Sequence, residues 1–374
     1  MPADDPPRGP GQVESYLWDL HTAHPGITMM EPIGSSMEGR TIWAFTVTDN
    51  PALYEPEPAV RLSGGIHGSE GMSWELMLYL LDDLVTGYAH DIRIREIVDN
   101  TVIIIIPMLN PDGAAAGSRY NAARVDLNRN FSRYAPAEWQ PSTTHGPAPF
   151  SEPETVAARD YAADMVFHLS ATFHTGAVVV NMPFDYAVWL DDDHGYYQQD
   201  YPLEHVLVSH LAHVYTTSGS FLDIPGLLDD PDMDSGTIFG GDWYVVYGSL
   251  QDWSYIETGC IDLTIETTVR TPSTAGDREQ LYNMHRESLI SYIESVRMGM
   301  HGRVTGSTGV PIGCVTISID GGDIVTRTNA EGYYHRILLP GTYTVTFMQD
   351  VNASHTAEVT VPEDPGTVEY NVSL

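Results

Sequence analysis

Ala59-Val-Arg-Leu-Ser-Gly-Gly-Ile-His67-Gly-Ser-Glu70 runs straight into Gly71-Met-Ser-Trp-Glu-Leu-Met-Leu-Tyr-Leu-Leu-Asp82. An apolar run carried by Val60, Leu62 and Ile66 breaks at Gly64 and Gly65. Beyond the break, Trp74, Met77, Leu78 and Leu81 fall on one stripe at helical spacing. The pattern predicts a strand, a glycine-loosened turn and a helix, with His67 and Glu70 at the carboxyl end of the strand. Ligands bind at that end in open α/β sheets. Imidazole and carboxylate are both zinc ligands, and a catalytic zinc site needs three protein ligands and an open position. A solvated turn that happens to carry a His and a Glu is the simpler reading of these residues alone, so the rest of the chain has to decide.

Its 374 residues are enough for two or three domains. Seventeen basic against 51 acidic residues give a net charge of −34, which argues against nucleic-acid and anionic-membrane partners. All the basic residues are Arg. No apolar run reaches membrane-spanning length, the longest being the buried-strand pattern around Val102 to Ile106. Two cysteines, Cys260 and Cys314, make neither a disulfide framework nor a cysteine zinc site, and each is expected to be a buried free thiol. Residues 1–11, rich in Pro, Asp and Gly, lack the apolar core of a signal peptide. They read as a disordered lead-in, or as the start of a mature chain with an added Met.

A helix is expected from Val13 to His24, then a hairpin turning at Glu38-Gly39. Thr101 to Met108 is a continuous β-branched run, the mark of a strand covered on both faces. It ends in a turn signal, Asn110-Pro-Asp-Gly113. Ser118 to Phe131 is dense in polar groups, and two arginines bracket Asn128, which suits a carboxylate-binding cluster. Glu152 to Met165 is expected to be helical, and Leu169 to Phe173 a strand that delivers His174 at its end. In the helix Glu204 to Tyr215, His210 and His213 lie one turn apart; a metal pair is conceivable there, solvated histidines the plainer reading. Asp191 to His194 and Asp229 to Asp234 read as acidic loops. An aromatic, Gly-rich loop (Gly240 to Tyr255) leads into the strand Cys260 to Thr267, with Asp262, Thr264 and Glu266 on one face. A long helix from Arg278 to Arg297 closes the first domain. From Gly299 the texture changes to short alternating strands, the pattern of a small β-sandwich.

Taken in order, Ile33-Gly-x-Ser-x-Glu38-Gly-Arg40, His67-Gly-x-Glu70, Asn110-Pro-Asp-Gly113, Asp126-Leu-Asn-Arg-Asn-Phe131, Ser151-Glu-Pro-Glu-Thr155, Asn181-x-Pro-Phe-Asp185 and Trp243 to Trp253 resemble the signatures of the zinc metallocarboxypeptidases of the N/E type. The tail from Asn329 to Tyr343 is similar to the transthyretin-like domain of that subfamily. The resemblance implies an α/β fold, a mixed β-sheet flanked by helices over residues 12–298, followed by an all-β transthyretin-like sandwich over 299–374. It also implies a secreted, periplasmic or extracellular hydrolase with one zinc ion per chain, acting on peptide or protein C-termini. Ser69, Thr175, Ser249 and Trp253 vary the subfamily's motifs without removing a reactive group.

By the same resemblance, His67, Glu70 and His174 are the zinc ligands and Glu266 the general base. Arg119 polarises the scissile carbonyl, Asn128 and Arg129 hold the terminal carboxylate, and Tyr244 closes over it. Gln251 flanks the side-chain pocket. The subfamily's preference for C-terminal Arg or Lys calls for an anion in that pocket, for which Asp229, Asp230, Asp232 and Asp234 are candidates. Two other readings stay open: the same chemistry on modified or cell-wall peptides, and a non-catalytic peptide-binding or adhesion protein on this scaffold.

Overall fold

The computed structural model describes residues 5–53, 55–131, 141–191, 196–199, 201–350, 353–364 and 366–374. The chain begins with α1 (Pro10–Ala23), which buries Val13, Leu17 and Leu20. The hairpin of β1 (Thr28–Ser35) and β2 (Thr41–Val47) follows. β3 (Ala59–Ser63) leads to α2 (Gly71–Gly87) and α3 (Ile92–Val98), then β4 (Val102–Ile106) to the short α4 (Pro111–Ala116). After α5 (Pro153–Asp164) come β5 (Leu169–His174), β6 (Val178–Met182) and a separate hairpin of β7 (Ala187–Asp191) and β8 (Tyr196–Gln199). α6 (His205–Thr217), β9 (Thr237–Phe239), α7 (Gly240–Trp243) and α8 (Leu250–Trp253) precede β10 (Ile261–Thr267) and the long α9 (Ala275–Glu294).

Eight of these strands form one mixed sheet in the order β1-β2-β4-β3-β5-β10-β6-β9. Its centre, β4-β3-β5-β10, is parallel. Parallel strands need cover on both faces. Here α2, α6 and α9 join one large apolar cluster, while Ala157 and Ala158 of α5 and Leu250 and Trp253 of α8 join a second. After β3 the chain goes out to β4 on one side and returns to β5 on the other. The strand order therefore reverses at β3/β5, which makes the carboxyl ends of these strands the crevice of the sheet.

Within this apolar centre three polar residues lie in register. Arg61 on β3 pairs with Ser170 on β5, and Ser170 with Asp262 on β10. The Arg61 guanidinium donates to Ser170 Oγ at 2.8 Å, Ser254 Oγ at 2.7 Å and Asp262 Oδ2 at 2.7 Å. Both charged side chains are shut away from water, at 3% and 0% exposure. A one-residue slip of any of the three strands would separate these charges in the core.

From Gly299 two new sheets enclose a core of their own. β11 (Gly299–Thr305), β12 (Thr316–Ile319), β13 (Thr326–Arg327), β14 (Tyr333–Arg336), β15 (Gly341–Asp350), β16 (Ala353–Val361), β17 (Thr367–Glu369) and β18 (Val372–Ser373) supply them. One sheet runs β14-β11-β17, with β18 also on β11, and the other β13-β12-β15-β16. Met300, Val304, Ile317, Val345, Phe347 and Val359 pack between them.

Several expectations change. The lead-in is tied down from Asp5 onward rather than disordered: the Arg8 guanidinium donates to the buried Glu75 carboxylate at 2.6 Å, and Trp74 Nε1 donates to the Arg8 carbonyl at 3.0 Å. Residues 1–4 lie outside the described residues, as does the acidic run at 192–194. Asn110-Pro-Asp-Gly113 is not a bare turn but the start of α4, with Asn110 Oδ1 accepting the Gly113 N–H at 2.9 Å as an N-cap. The loop Gly240 to Tyr255 contains two short helices. Cys260 is buried, but Cys314 is exposed, because it precedes β12 at the surface with φ near 60°.

Replacing Asp262 by Ala leaves Arg61 charged and buried without its partner. The expected cost, read as the apparent unfolding free energy in urea, is about 3–5 kcal/mol. A loss below about 1 kcal/mol would mean that the pair behaves like a surface one.

Candidate active site

Three adjacent strands, β3, β5 and β10, deliver the central groups. β3 ends at Ser63, and Gly64 and Gly65 turn the chain so that His67 and Glu70 lie over the sheet's carboxyl edge. Gly68 cannot be replaced without moving backbone, since a Cβ there would sit 1.9 Å from the Gly113 carbonyl carbon. Asn110 supports the turn from the other side, donating to the Ile66 carbonyl at 3.2 Å. His174 is the last residue of β5, and Glu266 on β10 is its direct cross-strand partner. The Thr267 hydroxyl donates to the His174 carbonyl at 2.8 Å and ties the two strand ends together.

His67, Glu70 and His174 are all buried, and each offers a ligand atom within 4.8 Å of the others. His67 Nδ1 lies 2.7 Å from Glu70 Oε1, and His174 Nδ1 is 3.1 Å from both His67 Nδ1 and Glu70 Oε2. With the opposite nitrogen of His67 turned to Asp126, its Nδ1 presents a lone pair here, 2.7 Å from a carboxylate that also only accepts. A cation among them removes the conflict, and two nitrogens with one carboxylate are a donor set suited to zinc. The opposite nitrogen of His67, Nε2, lies 3.0 Å from Asp126 Oδ1. Such a carboxylate behind a histidine fixes its tautomer and raises its basicity as a ligand. These residues therefore fit the metal expected of them.

The electrostatics point the same way. Burial works against a charge on Glu70, but the imidazoles of His67 and His174 outweigh it and hold the carboxyl well below the usual range. Burial, joined by the Glu70 charge, pushes Glu266 up to about 8. Its Oε2 is buried with no hydrogen-bond partner among the described residues. A carboxyl so desolvated can take up or release a proton near neutral pH.

A small cavity gathers His67, Arg119, Asn128, Arg129, His174, Asn181, Asp185, Tyr244, Val246, Thr264 and Glu266. Arg119 is held by Asp126 Oδ2 at 2.9 Å and lies 3.4 Å from Glu70 Oε1. The Asn128 side-chain oxygen accepts the Leu250 N–H at 2.9 Å, so what this amide offers a ligand is its N–H₂. Arg129 Nη1 donates to the Asn128 carbonyl at 2.8 Å. Tyr244 is 47% exposed at the mouth of the cavity, its ring edge-on to Trp243.

Gln251 is not at the cavity wall. It is buried beneath, donating to Asp185 Oδ1 at 3.2 Å. Asp229, Asp230, Asp232 and Asp234, in the loop before β9, are not among the residues that line this cavity, and Asp232 and Asp234 are exposed. Besides Glu266, the acidic residue that lines it is Asp185, 3% exposed, just beyond β6. Asn181 Nδ2 also donates to its Oδ1, at 2.9 Å. Gly240 makes room for this carboxylate, since a Cβ there would lie 2.0 Å from Asp185 Oδ1. His210 and His213 belong to no metal cluster among the described residues, and His213 faces Thr237 and Asp234. Asp185 and Asp126 went unassigned from sequence although both lie in motifs; for Asp185 an acid just beyond an apolar strand was the available signal.

Residues 13–297 match the zinc carboxypeptidase family, and residues 299–374 match the carboxypeptidase regulatory-like domain. The chain is 30% identical to carboxypeptidase D of Drosophila melanogaster over 94% of its own length and 26% of that protein, so it spans about a quarter of this relative. It is 32% identical to the human carboxypeptidase N catalytic chain, over 95% of this chain and 83% of that one. With Arabidopsis thaliana carboxypeptidase SOL1 the identity is 31%, over 96% and 70%. Among solved structures, thrombin activatable fibrinolysis inhibitor superposes with a TM-score of 0.61 at 18% identity, over 77% of this chain and 74% of that one. Carboxypeptidase A from Helicoverpa armigera gives 0.60 at 20%, over 77% and 73%. These two share the fold. With nearly its whole length matched and a zinc-type donor set at the crevice of the sheet, the chain belongs to the family of zinc-dependent metallocarboxypeptidases, its α/β part followed by a carboxypeptidase regulatory-like domain.

Proposed function

We propose that this chain removes single residues from peptide C-termini, with preference for Arg and Lys, by proton transfer through Glu266. The observation that carries the reading is one cavity whose lining includes His67 and His174 of the donor cluster, Glu266, the cation Arg129 and the anion Asp185. An exopeptidase has to recognise a free carboxylate, and a guanidinium is the side chain best matched to one. Arg129 and the Asn128 amide supply that recognition, with Tyr244 at the rim able to cover the bound end. Zinc, when bound, acts as a Lewis acid on a carbonyl and acidifies a water. Glu266 accepts a proton from the attacking water and returns it to the departing amine, so one carboxylate serves both halves of the reaction. Arg119, oriented by Asp126, offers a fixed cation to the developing oxyanion.

The side-chain preference rests on Asp185. Burying an unpaired guanidinium or ammonium costs several kcal/mol, so a pocket that accepts one needs an anion at its wall. Burial raises the Asp185 carboxyl, while hydrogen bonds from Ser249 and Asn181 and the nearby Arg129 pull it back. Its neighbour Asp252 is raised further by burial and by the Asp185 charge. Of the two, Asp252 is raised the further, so Asp185 is the one better placed to carry a charge. The net charge of −34 draws cationic peptides at long range, but acts on approach rather than in the pocket. The kinship supports an extracytoplasmic place of work as part of this reading; no helix among the described residues is long and apolar enough to cross a membrane.

Two substitutions test this. Glu266→Gln is expected to fold, to keep zinc and to bind peptide, while turnover falls by about 10² to 10⁴-fold. Retention of more than about a tenth of the rate would remove Glu266 from its role. Asp185→Asn is expected to lower kcat/KM for Arg-ended peptides by about 10²-fold or more, with Leu-ended peptides little affected. A wild-type enzyme that cleaves Leu-ended peptides faster than Arg-ended ones would contradict the basic preference.

A further inference from the structure

The carboxyl that recognises the substrate side chain is held from two directions, and one of them begins in the C-terminal domain. Asp185 donates its backbone N–H to both oxygens of Asp252, at 2.9 and 3.1 Å. Asp252 lies in α8, which continues directly into the tight turn Ser254–Thr258. From that turn Tyr255, 2% exposed, projects its ring edge-on to Phe184, the residue before Asp185, with centroids 5.3 Å apart and planes at 90°. The other end of the same tyrosine crosses to the C-terminal domain, where its hydroxyl donates to Asp323 Oδ1 at 2.6 Å.

Asp323 is itself fixed. Its second oxygen accepts the Leu203 N–H at 2.8 Å, and the next residue, Ile324, donates its N–H to Glu204 Oε1 at 3.2 Å. Glu204 forms a buried ion pair with Arg336 on β14. The domains meet too closely here for slack: a Cβ on Gly259 would lie 2.4 Å from the Val325 carbonyl oxygen. A rigid chain of contacts therefore runs from Asp323 through the Tyr255 hydroxyl and ring to Phe184 and Asp185.

We propose that the C-terminal domain is a working part of the side-chain pocket, and that Asp323 and Tyr255 are positioning residues which set the Asp185 carboxylate for a basic C-terminal side chain. This rests on the reading of Asp185 as the pocket anion. The hydroxyl–carboxylate bond is buried on the tyrosine side, so its loss releases the ring and with it the Phe184-Asp185 backbone. The catalytic centre, on β3, β5 and β10, keeps its own supports. Losing Asp323 or the Tyr255 hydroxyl should therefore weaken ground-state pairing with a basic side chain and leave the chemical step alone.

The test compares Asp323→Ala, Tyr255→Phe, their double variant and Asp185→Asn in the full-length, zinc-loaded protein. Matched peptides ending in Arg and Leu are used, and Tm is recorded for each variant. Each single variant is expected to raise KM for the Arg-ended peptide about three- to tenfold, with kcat for it and both constants for the Leu-ended peptide unchanged. Both substitutions break the Tyr255–Asp323 bond, and Asp323→Ala also removes the acceptor of the Leu203 N–H, so the double variant is expected to match Asp323→Ala rather than multiply the two effects. If Asp185→Asn abolishes the Arg preference while Asp323→Ala and Tyr255→Phe keep wild-type KM, the inference is overturned and the pocket reading stands. Equal losses on both peptides, tracking Tm, also overturn it, because they mark a purely structural contact. An Arg preference untouched by Asp185→Asn overturns the pocket reading and this inference with it.

Discussion

The buried ion pair between Arg61 and Asp262, bridged by Ser170, is the constraint on which the site depends. Each of the three residues sits on one of the strands that carry the reactive groups, β3, β5 and β10. Two charges in an apolar sheet are expensive unless paired and hydrogen-bonded. The register that pairs them is also the one that sets His174 opposite Glu266 and brings the β3 turn, with His67 and Glu70, beside them. Apolar side chains alone would specify this alignment weakly, because Val, Ile and Leu runs on neighbouring strands tolerate a two-residue slip. A charge pair does not. The pair costs stability relative to a well-packed apolar core and contributes alignment.

Around that register the loops are braced by polar groups that never reach the cavity. Asp112 on α4 accepts from Ser36 Oγ at 2.6 Å, the Glu38 N–H at 2.8 Å and Arg40 Nη1 at 2.6 Å, which locks the β1–β2 turn against the His67 loop. Asn130 donates to the carbonyls of His145 and Ala148 and to Ser151 Oγ. Glu152 and Glu154 both accept from Asn121 Nδ2. The segment bearing Arg119, Asn128 and Arg129 is thus fastened at both ends. Asp126 links the two halves of the site, touching His67 with one oxygen and Arg119 with the other. Preorganised donors and cations of this kind act without reorganisation at the moment of reaction.

Much of this architecture could be read from local pattern. Continuous β-branched runs marked the parallel centre, helical stripes marked its cover, and the alternation after Gly299 marked the second core. The resemblance singled out His67, Glu70, His174 and Glu266, and the fold brings them together because each follows or lies near the end of a strand and these strand ends converge. What escaped was decided by burial and by distant partners. Asp185 is one acid among 51 acidic residues, and its place just beyond an apolar strand was a faint signal; only the fold buries it while Asp229, Asp232 and Asp234 stay exposed. The lead-in has the composition of a disordered segment, yet Arg8 finds Glu75 67 residues away. Gln251 lies in a motif whose side chains alternate between cavity wall and support, and its spacing does not say which. Cys314 was expected in a core but lies exposed in the turn before β12.

The most direct measurement follows free amino acids released from a mixed peptide pool by the chelator-stripped protein as zinc is added back. The pool is run beside its C-terminally amidated counterpart. Release is expected to be absent after stripping, to return in full at one equivalent of zinc per chain, and to be confined to peptides with a free carboxylate. Release that survives stripping, or that proceeds equally from amidated peptides, would contradict a single-zinc site built on His67, Glu70 and His174 and working beside a carboxylate-binding Arg129.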